Sequence, residues 1–318
     1  MTDPQAPVPD VEFRLHLGFH KTASTHIQRI LDHNQRHLRP FGTYVVPHKR
    51  LRNKYTRVTE TFANQQIGMD YGEPMTREEY DALAVDFWEG VPFERFKRVI
   101  LSEENVAGHV GQCVYPGLLY RFPKTYMRYF RAALPVPATE IDVVIRSYDT
   151  FFASCYLEYI SSTGAHRYIP VEEMMTKVMV NAPSWLDVLE MLGQVFSTAK
   201  INVWIYEDLR QTMPQLMHEL TGRPEDTLLP LDDTTRSRAS PSGTVLAEFE
   251  KVVRAQGIDA GLAAWKDLKE EFGQTKGAAF VPWSDRDTAH LKHLYAHDIA
   301  EIDAHPRFIL RRPDQGPA

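Results

Sequence analysis

The chain has 318 residues, 43% hydrophobic and 25% charged, the proportions of an ordinary soluble globular protein with enough apolar material for one large core. Its 36 basic and 42 acidic residues leave a formal charge of −6, which excludes a nonspecific nucleic-acid binder and requires any anion site to be local. Two cysteines, Cys113 and Cys155, are too few for a disulfide scaffold or a four-cysteine zinc site, and fit a reducing compartment.

Met1 to Asp10 is rich in Pro and Asp and has neither a basic n-region nor an apolar h-region, so it is unlike a secretory signal and reads as part of a tail over 1–11. The first strand is predicted over Phe13 to Leu17. It runs into Gly18-Phe19-His20-Lys21-Thr22-Ala23-Ser24-Thr25, after which Ile27, Ile30, Leu31 and Leu38 share a helical face that ends before Pro40. A strand follows at Thr43 to Val46, then a helix with Tyr80, Leu83, Ala84 and Phe87 on one face, and a strand at Arg98 to Ser102. Leu119, Phe122, Tyr126, Tyr129 and Phe130 suggest a helix starting near Pro123, and Ile141 to Ile145 and Ile201 to Ile205 complete the strands.

Beyond Tyr206 the strand signals fade, and helices around Val245 to Val253, Leu262 to Phe272 and Thr288 to Ile302 are expected outside the sheet or over its ligand edge. The alternation predicts an α/β fold, a doubly wound parallel sheet of about five strands, with extra C-terminal helices, in a single domain over 12–310 followed by a tail at 311–318. No repeat is present, and no run approaches the roughly 18 apolar residues that a bilayer crossing needs, so a soluble, cytoplasmic protein is expected.

The loop after the first strand carries the chemistry. A strand-loop-helix turn aims free backbone N–H groups at the loop, and Lys21 with Thr22, Ser24 and Thr25 adds charge and donors suited to a phosphate. His20 stands where a Walker A loop needs Gly, which disfavours a P-loop-like kinase, as does the lack of a convincing Walker B carboxylate. The loop resembles the 5′-phosphosulfate loop of sulfotransferases that use PAPS, 3′-phosphoadenosine 5′-phosphosulfate. A second match is Val144-Ile145-Arg146 followed eight residues on by Ser154, the order and spacing with which that family holds the 3′-phosphate. A third is Val203-Trp204-Ile205-Tyr206-Glu207-Asp208-Leu209, which looks like the family's late strand ending in Tyr-Glu-Asp-Leu, Asp208 being suited to cap the next helix.

The resemblance runs from about Phe13 to Leu220, more faintly to Ile302, and is nearest to the bacterial and carbohydrate branches. It implies a P-loop fold and a transfer of a sulfuryl group from PAPS to a hydroxyl or amine acceptor, a glycan or another bacterial metabolite, with PAP as product, no metal, and no membrane or nucleic-acid partner. By it, His20, Lys21, Thr22, Ala23, Ser24 and Thr25 hold the 5′-phosphosulfate, Arg146 and Ser154 the 3′-phosphate, and Lys21 neutralises the leaving group. Glu104, in Ser102-Glu103-Glu104-Asn105, takes the place of the family's glutamate base; strand alternation sends Glu103 to the opposite side, and His20 and His109 are rivals.

Two features depart from the family. Ala23 stands where Gly is frequent, which implies a loop free of any glycine-only dihedral, and Lys276 and Gly277 do not reproduce the roof segment, for which Arg236, Ser237 and Arg238 are substitutes. Plainer explanations stand beside these: a solvated lysine on a capped helix, an Arg146–Asp149 ion pair, a packed Ser154, and solvated glutamates. A nucleotide-binding protein without turnover is the non-enzyme alternative. His290, His293 and His297 share a predicted helical face that could in principle hold a metal, with His33 and His37 weaker, but no Cys accompanies them. Phe151, Phe152, Tyr156 and Tyr159 fit core and pocket wall.

Overall fold

Continuous burial on both faces of the sheet turns the five apolar runs into strands: β1 Glu12–Leu17, β2 Thr43–Val45, β3 Arg98–Glu103, β4 Glu140–Ile145 and β5 Lys200–Ile205. The computed structural model describes residues 11–69, 72–231, 243–272 and 279–313. Met1 to Asp10, Arg236, Ser237, Arg238, Lys276 and Gly277 lie outside the described residues. A sixth strand, β6 Phe308–Arg311, follows the last helix and pairs with β5, so the strand pattern does not end at Tyr206, and the sheet reaches Arg311, one residue past the expected domain end. All six strands are parallel in the order β2-β3-β1-β4-β5-β6. β1 is central, and the chain winds outward from it in both directions, so ligand-binding loops gather at its carboxyl end.

Helices cover both faces. On one face Ile27, Leu31 and Leu38 of the Ser24–Leu38 helix and Leu216, Met217 and Leu220 of the Leu209–Thr221 helix pack on Ile100, Val144 and Trp204. On the other, Phe13, Leu15, Val99, Leu101, Ile141, Val143, Ile201 and Val203 join Phe151, Phe152 and Cys155 of the Tyr148–Ser162 helix and Trp185 and Leu189 of the Trp185–Val195 helix in one larger core. Cys113 and Cys155 are both free and buried.

Local chemistry sets the helix ends. Pro40 follows the Ser24–Leu38 helix in a tight turn over Arg39–Phe41, and Gly42, at φ +79°, supplies the left-handed residue that leads into β2. A Thr76/Glu79 capping box starts the Arg77–Glu89 helix, which buries Tyr80, Ala84, Phe87 and Trp88; Leu83 is exposed rather than on that face. Pro123 is the first residue of its helix, Pro123–Ala132, so Leu119 and Phe122 precede it. The late helices run Gly243–Gln256, Ile258–Phe272 and Asp285–Ala304.

The apolar appearance of β4 hides a charge. Asp142 is wholly buried and accepts from Arg14 Nη2 at 3.0 Å and from Trp204 Nε1 at 3.0 Å; Arg14, also buried, reaches Glu140 at 3.1 Å and Glu12 at 3.2 Å. Burial pushes the Asp142 carboxyl up, against the opposing pull of Arg14 and Trp204. This ties β1, β4 and β5 together under the sheet. Asp142→Leu, which strands the guanidinium in the core, is expected to cost about 3 kcal/mol in urea unfolding, with the double variant Arg14→Met/Asp142→Leu regaining more than half. Additive losses would show that the two charges are not coupled.

Candidate functional site

Strand register brings the site residues to one edge. β1 pairs with β3 so that Leu17 lies level with Glu103, and Gly18 and Glu104 leave the sheet together. β1 pairs with β4 through His16 and Asp142, and β4 runs on to Ile145, so Arg146 leaves the sheet beyond the end of β1, where the loop lies.

The Gly18 to Thr25 loop is tightly folded. A Cβ on Gly18 would sit 2.7 Å from Ser24 Cβ, so only glycine allows the loop to close on the helix start. The hydroxyls of Thr22 and Ser24 both donate to the Phe19 carbonyl, at 2.5 and 3.0 Å, and so close the loop on itself; Thr25 is exposed. Lys21 and Ala23 both have left-handed backbones, φ +62° and +66°. Ala23 therefore adopts the dihedral that favours glycine, contrary to the expectation from its side chain, and stands at the helix N-cap with no side-chain cap.

Lys21 Nζ meets Glu158 Oε2 at 3.0 Å. Arg146 donates from Nη1 to the Lys21 carbonyl at 2.7 Å and from Nε to Thr150 Oγ1 at 3.0 Å, and its guanidinium lies 4.3 Å from the centre of the Tyr206 ring. Asp149 is not its partner: that carboxylate accepts from Ser147 Oγ. Thr150, Ser154 and Glu158 recur every four residues on the Tyr148–Ser162 helix, so Ser154 lies on one face between the partner of Arg146 and the partner of Lys21.

The Arg146 turn is braced from behind. Trp185 Nε1 donates to the Arg146 carbonyl at 2.7 Å, while Ser147 N–H and Tyr295 O–H both donate to Glu207, at 3.0 Å each. Asp298 accepts from the Tyr148 hydroxyl and from Trp185 N–H at 2.5 Å. The Asp285–Ala304 helix thus buttresses the site. Asp208, expected as a cap, makes no side-chain cap; in the Tyr-Glu-Asp-Leu segment the working carboxylate is Glu207.

At the β3 end Glu103 and Glu104 do not point to opposite sides as strand alternation predicts, because the strand stops at Glu103 and Arg52 Nη2 reaches both carboxylates, but their surroundings differ. Glu103 is wholly buried and accepts from Arg52, Thr56, and the N–H groups of Glu104 and Asn105, at 2.8 to 3.3 Å. Glu104 is partly exposed and bound to Arg52 Nη2 at 3.0 Å. Burial and the charge of Glu103 push the nearby Glu60 carboxyl up to about 8, against Arg52 and Asn105, so Glu60 is protonated at neutral pH. His20 N–H donates to the Tyr120 hydroxyl at 3.0 Å; that hydroxyl's hydrogen then goes to His20 Nδ1 at 3.1 Å, leaving Nε2–H to donate to Asn105 Oδ1 at 3.0 Å. Both ring nitrogens of this rival base are occupied. Burial, with the charges of His20 and Arg167, pulls His109 down to about 4, so its imidazole is neutral at physiological pH.

The structure therefore brings Lys21, Arg146 and Ser154 to one side of the loop and Glu104 to the other. Arg52, Glu60, Tyr120 and Glu158 were missed in sequence, and Glu207 was read only as part of the Tyr-Glu-Asp-Leu segment, with the capping role given to Asp208. Arg52 sits in a π-helical turn, Arg52–Thr56, which no 3.6-residue pattern reveals. His290, His293 and His297 are exposed, and no group of three or more His, Cys, Asp or Glu among the described residues is placed to hold a metal ion. No described helix is long and apolar enough to cross a membrane.

No family model and no curated protein matches the chain. Among solved structures it is similar to a sulfotransferase from Alicyclobacillus acidocaldarius, at 12% identity and a TM-score of 0.37, covering 80% of this chain and 98% of that one.

Backbone strain at Ala23 gives a direct test. Relief of a left-handed penalty of about 1 to 2 kcal/mol, less the extra chain entropy of glycine, makes Ala23→Gly more stable by roughly 0.5 to 1 kcal/mol in chemical denaturation. A loss of stability would mean that the loop does not hold this dihedral in solution.

Proposed function

We propose that the protein is a PAPS-dependent sulfotransferase that passes a sulfuryl group to a hydroxyl or amine. The observation that carries the reading is the convergence of two separately spaced sequence motifs: Arg146 is bonded to the carbonyl of Lys21, and Ser154 shares a helix face with the partners of both. A loop lysine with an arginine and a serine beyond the next strand would suit a 3′,5′-bisphosphate better than a triphosphate, for which the loop lacks the Walker A glycine. The residues present fit that ligand. The loop's leading N–H groups and Lys21 would take the 5′-phosphosulfate, with the exposed Thr25 hydroxyl as a further donor while the Thr22 and Ser24 hydroxyls stay on the Phe19 carbonyl, and Arg146 and Ser154 would take the 3′-phosphate.

In the step proposed, the acceptor's oxygen or nitrogen forms a bond to sulfur while the bond from sulfur to the bridging phosphate oxygen breaks. Glu104 takes the acceptor's proton, and Lys21 neutralises the charge that builds on the departing phosphate. Glu104 is the carboxylate for this role because it is partly exposed, whereas Glu103 is buried under donors from four residues. Lys21 must leave Glu158 to reach the phosphate. That exchange costs little, since a partly exposed ion pair contributes at most about 1 kcal/mol.

Thermal shift without magnesium tests the ligand. PAP at a hundredfold excess over its Kd should stabilise the protein by about 2.7 kcal/mol and more than AMP does, because AMP offers Arg146 and Ser154 no 3′-phosphate. Equal shifts from PAP and AMP would remove Arg146 from the site, and a shift from ATP with magnesium but none from PAP would turn the reading toward a kinase.

Lys21→Ala tests the chemistry. Release of sulfate from PAPS should fall by about two to three orders of magnitude, the scale of a lost oxyanion donor, while PAP still protects the fold. Near-normal release would exclude Lys21 from leaving-group stabilisation.

A further inference from the structure

We infer that Arg52 is a positioning residue for the Glu104 carboxylate, an inference that rests on Glu104 being the base. Arg52 opens the π-helical turn Arg52–Thr56, which joins the short His48–Leu51 helix to the Arg57–Gln66 helix. The turn aims Arg52 and Thr56 at the same buried carboxylate: Arg52 Nη2 and Nε reach Glu103 Oε1 at 2.8 and 3.3 Å, and Thr56 Oγ1 reaches Oε2 at 2.8 Å. Glu103 also accepts from two backbone N–H groups, so it is held from its own strand end as well. A fixed carboxylate in turn fixes the plane of the guanidinium that forks onto it.

The second hydrogen of Nη2 is then directed at Glu104 Oε1, 3.0 Å away. Balancing the charge of Glu103 alone would not require this contact. It makes Glu104 the exposed end of a chain that runs from Thr56 through Glu103 and Arg52. The neighbouring residue is anchored too, since Asn105 Oδ1 accepts from His20 of the Lys21 loop at 3.0 Å. Glu104 therefore stands between two fixed points, one on the π turn and one on the phosphate loop, with its carboxylate restrained while remaining open to an acceptor.

The test uses the full chain, PAP for binding and PAPS with water as acceptor for turnover. Arg52→Gln and Arg52→Lys should bind PAP within about twofold of wild type by calorimetry, because Arg52 touches neither Lys21 nor Arg146. Their kcat for sulfate release should fall about ten- to a hundredfold with the KM for PAPS unchanged, the lysine variant losing less because it keeps the charge but not the fork. If Arg52 acts through Glu104, Arg52→Gln/Glu104→Gln is no slower than Glu104→Gln alone. Losses that multiply, or Arg52 variants with full kcat, overturn the inference while leaving Glu104 as the base. Full turnover in Glu104→Gln, or wild-type protein that binds PAP but releases no sulfate, overturns the base assignment and this inference with it. Should the glutamine variant fail to fold, Arg52→Lys, which retains a cation against Glu103, decides the matter from kcat and PAP affinity alone.

Discussion

Everything at the site depends on the parallel register of β1 with its two neighbours. Leu17 against Glu103 sets the end of β3 beside the start of the loop, and His16 against Asp142 carries β4 far enough for Arg146 to reach the Lys21 carbonyl. A slip of one residue would turn every side chain to the opposite face and bury the wrong set. Apolar alternation resists such a slip on the Phe13, Leu15 and Leu17 face. On the reverse face Arg14 resists it, because a one-residue shift would take its guanidinium away from Asp142 and leave both charges buried without a partner.

That rigidity permits strain at the loop. Lys21 and Ala23 are left-handed without being glycine, and each such residue costs about 1 to 2 kcal/mol. The offsetting contacts are local: two hydroxyls on the Phe19 carbonyl, a Tyr120 hydroxyl taking the His20 N–H, and Arg146 on the Lys21 carbonyl. Hydroxyls that a phosphate could use are thereby employed in holding the loop's shape. The loop holds its curvature through its own hydroxyls together with Tyr120 and Arg146.

Much of this was legible in the sequence because it depends on short-range patterns. Five strands declared themselves by short apolar runs, rich in Val and Ile except in β1, and Lys21, Arg146 and Ser154 were singled out by a family resemblance in loop and spacing. β6 did not, since its four residues follow directly on a helix and three of them are only half buried. Asp142 was hidden because a buried charge inside an apolar run has meaning only when its partner is known, and Arg14 is 128 residues away. Leu83 was misplaced because helical spacing identifies a possible face without saying how wide it is. The choice of Glu104 over Glu103 came from strand alternation, whereas the reason for their difference, the π turn carrying Arg52 and Thr56, adds a residue to a helical turn and breaks the period on which sequence patterns rely.

Charge distribution shows how a chain with a net charge of −6 can gather cations at one sheet edge. Its cations at the edge are each matched: Lys21 by Glu158, Arg52 by Glu103 and Glu104, Arg146 by a carbonyl, a hydroxyl and an aromatic ring. These matches differ in strength. Glu103 is fully buried, so separating Arg52 from it would strand a charge in the core, whereas Glu158 is nearly half exposed and loses little when water replaces Lys21. Arg146 has no carboxylate to give up at all. An incoming bisphosphate would therefore recruit Lys21 and Arg146, not Arg52, which divides the edge into a side that can release its cations to a donor nucleotide and a side whose cation stays with its carboxylates. In the proposed reaction that division would separate leaving-group stabilisation from proton removal, and for the two ion pairs it follows from burial: Lys21–Glu158 is exchangeable at the helix surface, whereas Arg52–Glu103 is held at the end of a central strand.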